Sequence, residues 1–323
     1  MDYTIRVANE QDVPVILELF ELSLGVEGGA PVESFWRWKH VDNPFGPSPV
    51  LLAFNDGKLI GLRAFMRWQW VINGQVLPAF RAVDTATHPD YRGKGIFSKL
   101  TKRLLGELAE SEPSSFIYNT PNEQSKPGYV KMGWQVLGKP NVTGSLALTY
   151  SAKAAEKFKA YHQSLQGFNF DVSSYLPVIN QLHIHTNHAV NYHKWRFQSI
   201  PEIPYGKYEY VKDNFGVLLL FHLKKRGRFY ELRICDELWL NGKNNTTVFL
   251  TACHTLAAEL GTTFISYIGN EPLSLWSKIR YRTFPLQYLA PEVTIREVND
   301  SNLISRIENL DDWSFKMGDL ELF

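Results

Sequence analysis

The stretch VDTATHPDYRGKGIFSKL, residues 83–100, decides the reading of this chain. It opens as a strand, turns at His88-Pro89, and passes through Arg92-Gly93-Lys94-Gly95 into an amphipathic helix that continues as TKRLLGELAES. Two glycines at a strand-to-helix junction let successive backbone N–H groups turn toward an anion, and the helix N-terminus adds partial positive charge. Arg92 and Lys94 add cations able to meet phosphate oxygens. The chemistry is that of a diphosphate cradle. It is no Walker A loop, because no Gly-Lys-Ser/Thr follows at the required spacing. A dinucleotide fingerprint fails too, since Ser98 stands where the third glycine belongs.

Working outward, Tyr3–Ala8 alternates as a strand, and a helix over 9–24 places Val13, Ile16, Leu17, Phe20 and Leu24 on one face. Gly25, Gly28 and Gly29 are expected to close it. A short helix, VESFWRWKH (32–40), is stopped by the prolines of DNPFGPSP (42–49). Strands at 49–54 and 58–72 flank an Asn55-Asp56-Gly57 turn. Asn73-Gly74 then marks a hairpin returning through QVLPAF (75–80) to RAVDTAT (81–87). The first half is therefore expected to be a mixed α/β domain.

Residues 83–100 resemble the acyl-CoA-binding motif of the GNAT N-acyltransferases, Arg/Gln-x-x-Gly-x-Gly/Ala after a hydrophobic strand. Arg92 holds the first position and Gly95 the first glycine, while Phe97 departs from the Gly/Ala position. A second signature of that family appears in FIYNTPNEQSKPGYVKMGWQVLG (116–138), where Asn122, Ser125, Tyr129 and Gly133-Trp134 fall in register. Pro127-Gly128 predicts a short or bent helix there. The resemblance implies an acetyl-CoA co-substrate bound by Thr85, Ala86, Thr87, Arg92, Gly93, Lys94, Gly95, Ile96, Phe97, Ser98 and Asn122. It implies that an N–H near Thr85 or Ala86 polarises the thioester carbonyl and that Tyr129 protonates the departing thiolate. Asp84, the acid within that strand, is the candidate base, and its face is open between substrate and the rear helix. In this family the segment holding Glu33, Trp36 and Trp38 walls the acceptor pocket.

The second half reads as a degenerate copy. Trp38, Lys39 and Pro44 align with Trp195, Arg196 and Pro201, and Asn122-Glu123, Lys131 and Trp134 with Asn270-Glu271, Lys278 and Tyr281. Its loop, WLNGKNNTT, has one glycine and no arginine, and Trp276 falls near the tyrosine position. The expected architecture is α/β with two tandem GNAT-like domains, residues 1–145 with the acyl-CoA site and 151–323 structural or walling the acceptor site.

With 323 residues, 44% hydrophobic, the chain is long enough for two cores. A balance of 34 Lys+Arg against 33 Asp+Glu disfavours a nucleic-acid partner. Two cysteines cannot make a disulfide framework. No apolar run approaches a membrane span, and the first residues lack a basic n-region before an apolar stretch, so a cytoplasmic protein without a signal peptide is expected. His183, His185, His188 and His193 cluster without a neighbouring carboxylate or cysteine, so no metal is expected. The tail DDWSFKMGDLELF (311–323) alternates as a closing strand, whose terminal Phe323 carboxylate is expected at the surface.

The leading functional expectation is transfer of an acetyl group to a primary amine of a small molecule. Trp36, Trp38, Trp68 and Trp70 suggest stacking against an amino sugar. An aminoacyl transferase on the same tandem fold is one alternative, disfavoured by the intact loop. A non-catalytic acyl-CoA-binding or interaction protein is the other.

Overall fold

Asn73 and Gly74 close the longest hairpin of the protein, and both take the positive φ (51° and 75°) that such a two-residue turn requires. The computed structural model describes residues 2–24, 32–178, 183–188, 191–269, 273–300 and 302–320. The hairpin joins β3 (Lys58–Ile72) to β4 (Gln75–Thr87). Before it come β1 (Thr4–Val7), α1 (Val13–Leu24), α2 (Glu33–His40) and β2 (Val50–Asn55). After it come α3 (Ile96–Ser111), β5 (Phe116–Asn119), α4 (Lys126–Lys131), β6 (Gln135–Gly138) and β7 (Val142–Leu146). The rest of the chain forms α5 (Ala154–Gln166), β8 (Tyr175–Leu176), β9 (His185–Thr186), β10 (Gly206–Lys212), β11 (Phe215–Arg226), β12 (Phe229–Leu240), α6 (Thr246–Leu260) and β13 (Phe264–Ile268). It ends with α7 (Leu275–Arg280), β14 (Thr283–Pro285), β15 (Val293–Glu297), α8 (Ile304–Ile307) and α9 (Met317–Leu320).

Two compact units result, Met1–Gly138 with Glu292–Asn309, and Lys139–Pro291 with Leu310–Phe323. The first unit's sheet runs β1-β2-β3-β4-β5-β15-β6, with β4 and β5 its parallel pair. One face packs α3 and α4 through Ile96, Leu100, Leu104 and Tyr129. The other packs α1 and α2 through Ile16, Phe20 and Trp36. On α1 the inward set is Val13, Ile16, Leu19 and Phe20, whereas Leu24 is half exposed. Asn9 and Asp12 form a capping box ahead of that helix, and Asp12 also pairs with Arg6. The expected glycine stop, Gly25, Gly28 and Gly29, lies outside the described residues.

The second unit repeats the order from β2 onward: β10-β11-β12-β13-β7-β14, with β12 and β13 parallel. Its core gathers Phe158, Phe221, Leu250, Leu256 and Ile265. This is the tandem mixed-sheet architecture expected from the repeat, but the units are not the spans 1–145 and 151–323. The slot between β5 and β6 is filled by residues 293–297, and the slot between β13 and β14 by residues 142–146. Each inserted strand satisfies backbone groups on both neighbours, so it belongs to the sheet it completes. The alternating tail forms no closing strand; Met317–Leu320 is a helical turn, and Phe323 lies outside the described residues. Among the described residues no helix is long and apolar enough to cross a membrane.

Gly61 lets β3 approach α3. A Cβ there would sit 2.5 Å from Ile96 Cγ2 and 3.4 Å from Leu100 Cδ1. Gly61→Val is expected to destabilise the protein by about 1–3 kcal/mol, as overpacked cores do. A urea midpoint equal to wild type would show that α3 moves aside without cost.

Candidate active site

The site begins with a strand that loses its partner. β4 pairs with β5 only where Ala79, Phe80 and Arg81 face Phe116, Ile117 and Tyr118. Beyond that, Ala82–Thr87 continues without β5 pairing. A β-bulge marks the parting: Arg63 faces Thr85 and Ala64 faces Val83, leaving Asp84 with no opposite number and a φ of 44°. Thr85 is exposed and donates its hydroxyl to Leu62 O (3.2 Å); Ala86 is buried and Thr87 half-buried.

From Thr87 the chain enters the glycine loop. His88 Nδ1 accepts the Asp90 N–H at 3.3 Å, and a single helical turn spans Pro89–Tyr91. Gly93 and Gly95 take φ of 74° and 76°, with no atom of the described residues within 4 Å of where a side chain would stand. Gly95 is the N-cap of α3 and provides no side-chain cap, so the first-turn N–H groups point outward from a 16-residue helix. Residues Arg92–Gly95 are exposed, whereas the Ile96 side chain is buried against β3. Phe97 and Ser98 are half-buried. Arg92 donates to Ser23 O at the end of α1 (2.7 Å), and Lys94 donates to Asp90 O (2.9 Å) over the Tyr91 ring. Both cations are thus held beside the loop.

Phe97, the residue that departs from the motif, finds its room against α4. Its ring meets Tyr129 edge-on (5.5 Å between centroids), and a Cβ on Gly128 would come within 3.3 Å of it. Pro127 and Gly128 therefore shorten the helix and make space for the phenyl ring. Tyr129 is buried between Phe97 and Trp134, and its hydroxyl accepts from Arg63 at 2.8 Å. Arg63 is fully buried, its guanidinium lies over the Phe65, Phe97 and Tyr129 rings, and its Nε and second terminal nitrogen have no hydrogen-bond partner among the described residues. Asn122 is exposed and organises the α4 N-terminus: its backbone carbonyl accepts from Ser125 and Lys126, and its side-chain oxygen from Ser125 (2.9 Å).

Asp84 lies in a network that the sequence did not disclose. Its Oδ2 accepts from Lys39 Nζ (2.8 Å) and from His40 Nε2 (2.7 Å), and His40 Nδ1 lies 2.9 Å from Ser48 Oγ. Burial pushes the Asp84 carboxyl up, but Lys39 and His40 outweigh it and hold the group well below the usual carboxylate range. Burial lowers His40, keeping its imidazole neutral near pH 7 despite the carboxylate. The Ser48 loop is set by Asn43, whose side chain accepts from Phe45 N and donates to Arg67 O, and by Ser48 N donating to His40 O.

The expected aromatic wall is not a wall. Trp36 and Trp38 are each 3% exposed; Trp36 packs on Phe20 and His40, and Trp38 on Phe35. Trp68 and Trp70 are also buried. An apolar ring stabilises most by leaving water, and both faces of this sheet are covered. Glu33 is exposed in the first turn of α2. Lys39, His40, Ser48 and Arg63 were missed as site residues; a lone arginine inside the apolar strand LIGLRAF was the one available signal.

In the second unit the loop is stopped differently. Asn245 caps α6 by accepting the Val248 N–H (3.1 Å), which occupies the helix end an anion would need. Trp276 is exposed on α7, and the residues paired with Asn122-Glu123, Asn270-Glu271, lie outside the described residues. The histidine cluster does meet a carboxylate. β12 brings Asp236 to His193 Nε2 at 3.1 Å, beside His188, whose imidazole burial pushes down to about 3. His183 is half-buried and lines a different cavity with Glu237 and Lys316.

A family model described as an acetyltransferase (GNAT) domain matches residues 4–137. No curated protein is matched by the sequence. Among solved structures, a GCN5-related N-acetyltransferase from Anabaena variabilis is similar over 92% of this chain and 73% of its own, with 13% identity and a TM-score of 0.61. A protein from Enterococcus faecalis described as a probable N-acyltransferase gives 13% identity and 0.60, over 93% and 73%. Eis1 from Mycobacterium abscessus gives 13% and 0.56, over 94% and 76%. These likenesses extend over both units and concern the fold. Residues 4–137, which hold the unpaired β4 edge, the glycine loop and the helix N-terminus in sequence, are thus similar to a GNAT acetyltransferase domain.

Proposed function

We propose that the protein is an acyl-CoA-dependent N-acyltransferase that moves an acetyl group from acetyl-CoA to a primary amine of a small molecule. The observation that carries this reading is the Gly93–Gly95 loop, open at both glycines and followed by the uncapped N-terminus of α3. It offers backbone N–H groups to the diphosphate, with Arg92 and Lys94 at hand. The free edge of β4 beyond Arg81 suits the amide groups of a pantetheine arm, which bond as a strand would. A backbone N–H near Thr85 or Ala86 then serves the thioester carbonyl. Tyr129 gives its proton to the leaving thiolate, a role suited to a phenolic O–H donor. Burial of the four tryptophans removes the reason to favour an amino sugar, so the acceptor is proposed only as a small primary amine.

Calorimetric titration with acetyl-CoA tests this directly. One site per chain is expected, because the second unit's helix end is already capped. Arg92→Ala should weaken binding by about 1.5–3 kcal/mol, the worth of a hydrogen bond to a charged group. Absence of binding to wild type would overturn the reading; equal affinity of the variant would remove Arg92 from the cradle.

A further inference from the structure

An amine that attacks an acyl carbonyl must shed a proton, and Asp84 is poorly suited to take it. Both Lys39 and His40 already donate to its Oδ2. The group with spare basicity is the next one along. We propose that His40 is the proton acceptor of the reaction, reached from the attacking amine through the Ser48 hydroxyl and oriented by Asp84. This rests on the acyltransferase reading above.

The hydrogen bonds fix the direction of the relay. An ionised carboxylate only accepts, so the proton shared by His40 and Asp84 sits on His40 Nε2. Nδ1 is then the bare nitrogen, and Ser48 Oγ at 2.9 Å must donate to it. The groups facing the imidazole are Lys39 on its own helix, Asp84 from β4, Ser48 from the following loop, and the Trp36 ring at 4.1 Å. His40 itself is 3% exposed, whereas Ser48 is half-buried, so Ser48 is the end that an amine can approach.

The backbone supports the assignment. Asp84 is a non-glycine residue at φ 44° inside a strand, a strained geometry that persists only where its surroundings impose it. Here it sits at the β-bulge, where Lys39 and His40 hold the Asp84 side chain. The bulge that creates the strain also ends regular pairing next to Thr85, so Asp84 adjoins the residue expected at the acyl carbonyl. Strain, buried network and candidate oxyanion site coincide at one turn of β4.

In the proposed step the amine nitrogen bonds to the carbonyl carbon and its surplus proton passes to Ser48 Oγ. The original Ser48 proton moves to His40 Nδ1, giving an imidazolium whose Nε2–H stays on Asp84. The C–S bond breaks, and the thiolate takes the Tyr129 proton. His40 and Tyr129 then return to their resting forms by exchange with solvent. Asp84 is a positioning residue, because it acts through His40.

The test is acetyl-CoA turnover, read as thiol release, with a panel of glucosamine, ethanolamine and tyramine as acceptors. His40→Gln should lower kcat by roughly 10²–10⁴-fold, the range for a lost general base, with acetyl-CoA affinity unchanged. It should also abolish the acidic limb of the pH–rate profile. Ser48→Ala should lower kcat in the same direction and keep the wild-type melting temperature. Should His40→Gln fail to fold, Ser48→Ala carries the test, since the backbone bond from Ser48 N to His40 O does not need the hydroxyl. Wild-type kcat in these variants, on any amine the protein accepts, would overturn the relay alone. No acetyl-CoA binding and no thiol release by the wild-type protein would overturn the acyltransferase reading and the relay with it.

Discussion

Tyr129→Phe should abolish most turnover while leaving acetyl-CoA affinity intact. The ring is held by Phe97 on one side and Trp134 on the other, and phenylalanine keeps both contacts. Only the hydroxyl is lost. If that hydroxyl supplies the proton for the leaving thiolate, kcat falls by roughly 10²–10⁴-fold. The variant should also be less stable, because Arg63 is fully buried and the Tyr129 hydroxyl is the acceptor of its terminal NH₂ group. Stranding a buried donor costs about 1–3 kcal/mol, which a urea melt resolves. Equal losses in kcat and in acetyl-CoA affinity would make Tyr129 a packing residue.

The second large effect concerns Asp84→Asn. The amide keeps the shape and tolerates a positive φ, but it removes the charge opposite Lys39 and His40. Their side chains are 9% and 2% exposed, so Lys39 loses this carboxylate where water replaces it poorly. Breaking such a buried pair costs about 3–5 kcal/mol, and the 20% exposure of the Asp84 side chain argues for the lower end. The dependence on pH has a definite sign. The folded-state value of Asp84 is lowered, so its stabilisation is fully present above the unfolded value of about 3.9 and is lost as pH falls toward the folded value. Wild type and variant should therefore differ at pH 7 and converge in acid. His40 is lowered by burial and raised in part by Asp84, so it destabilises both proteins on acidification, the variant reaching a given loss at a higher pH. A gap that stays constant down to pH 2 would mean that Asp84 contributes by shape and not by charge.

Legibility followed the range of the interactions. The β3–β4 turn was legible because Asn73-Gly74 encodes its own backbone geometry. The Gly93–Gly95 loop was legible because the positive φ at each glycine is a local requirement, and α3 because its apolar spacing is local too. The burial of Trp68 and Trp70 was legible in part, since the run FMRWQWVI reads as a packed strand face as well as a wall for a sugar. An aromatic strand reads alike whether its rings are exposed or packed, and here Trp68 packs on Phe45 and Tyr118, and Trp70 on Tyr118. The network around Asp84 was hidden for a different reason. Lys39 and His40 are 45 and 44 residues away from it, and nothing in WRWKH announces a partner in VDTAT. Asp84 is the acid that the strand sequence offers as a base; the fold surrounds it with two donors, Lys39 and His40.

By itself, then, the sequence determined most of the first unit's elements, the glycine loop and the tandem architecture. Each of these is written in residues a few positions apart, where backbone preference and periodicity act. Only the tertiary structure decided that β15 completes the first sheet and β7 the second, which replaces the boundary expected near residue 145. It also decided that the tryptophans are core and that Arg63 meets Tyr129, and it brought His40, Asp84 and Ser48 together. Those outcomes depend on which distant groups share a desolvated space, where an unpaired charge or backbone amide is costly and a partner must be found across the fold.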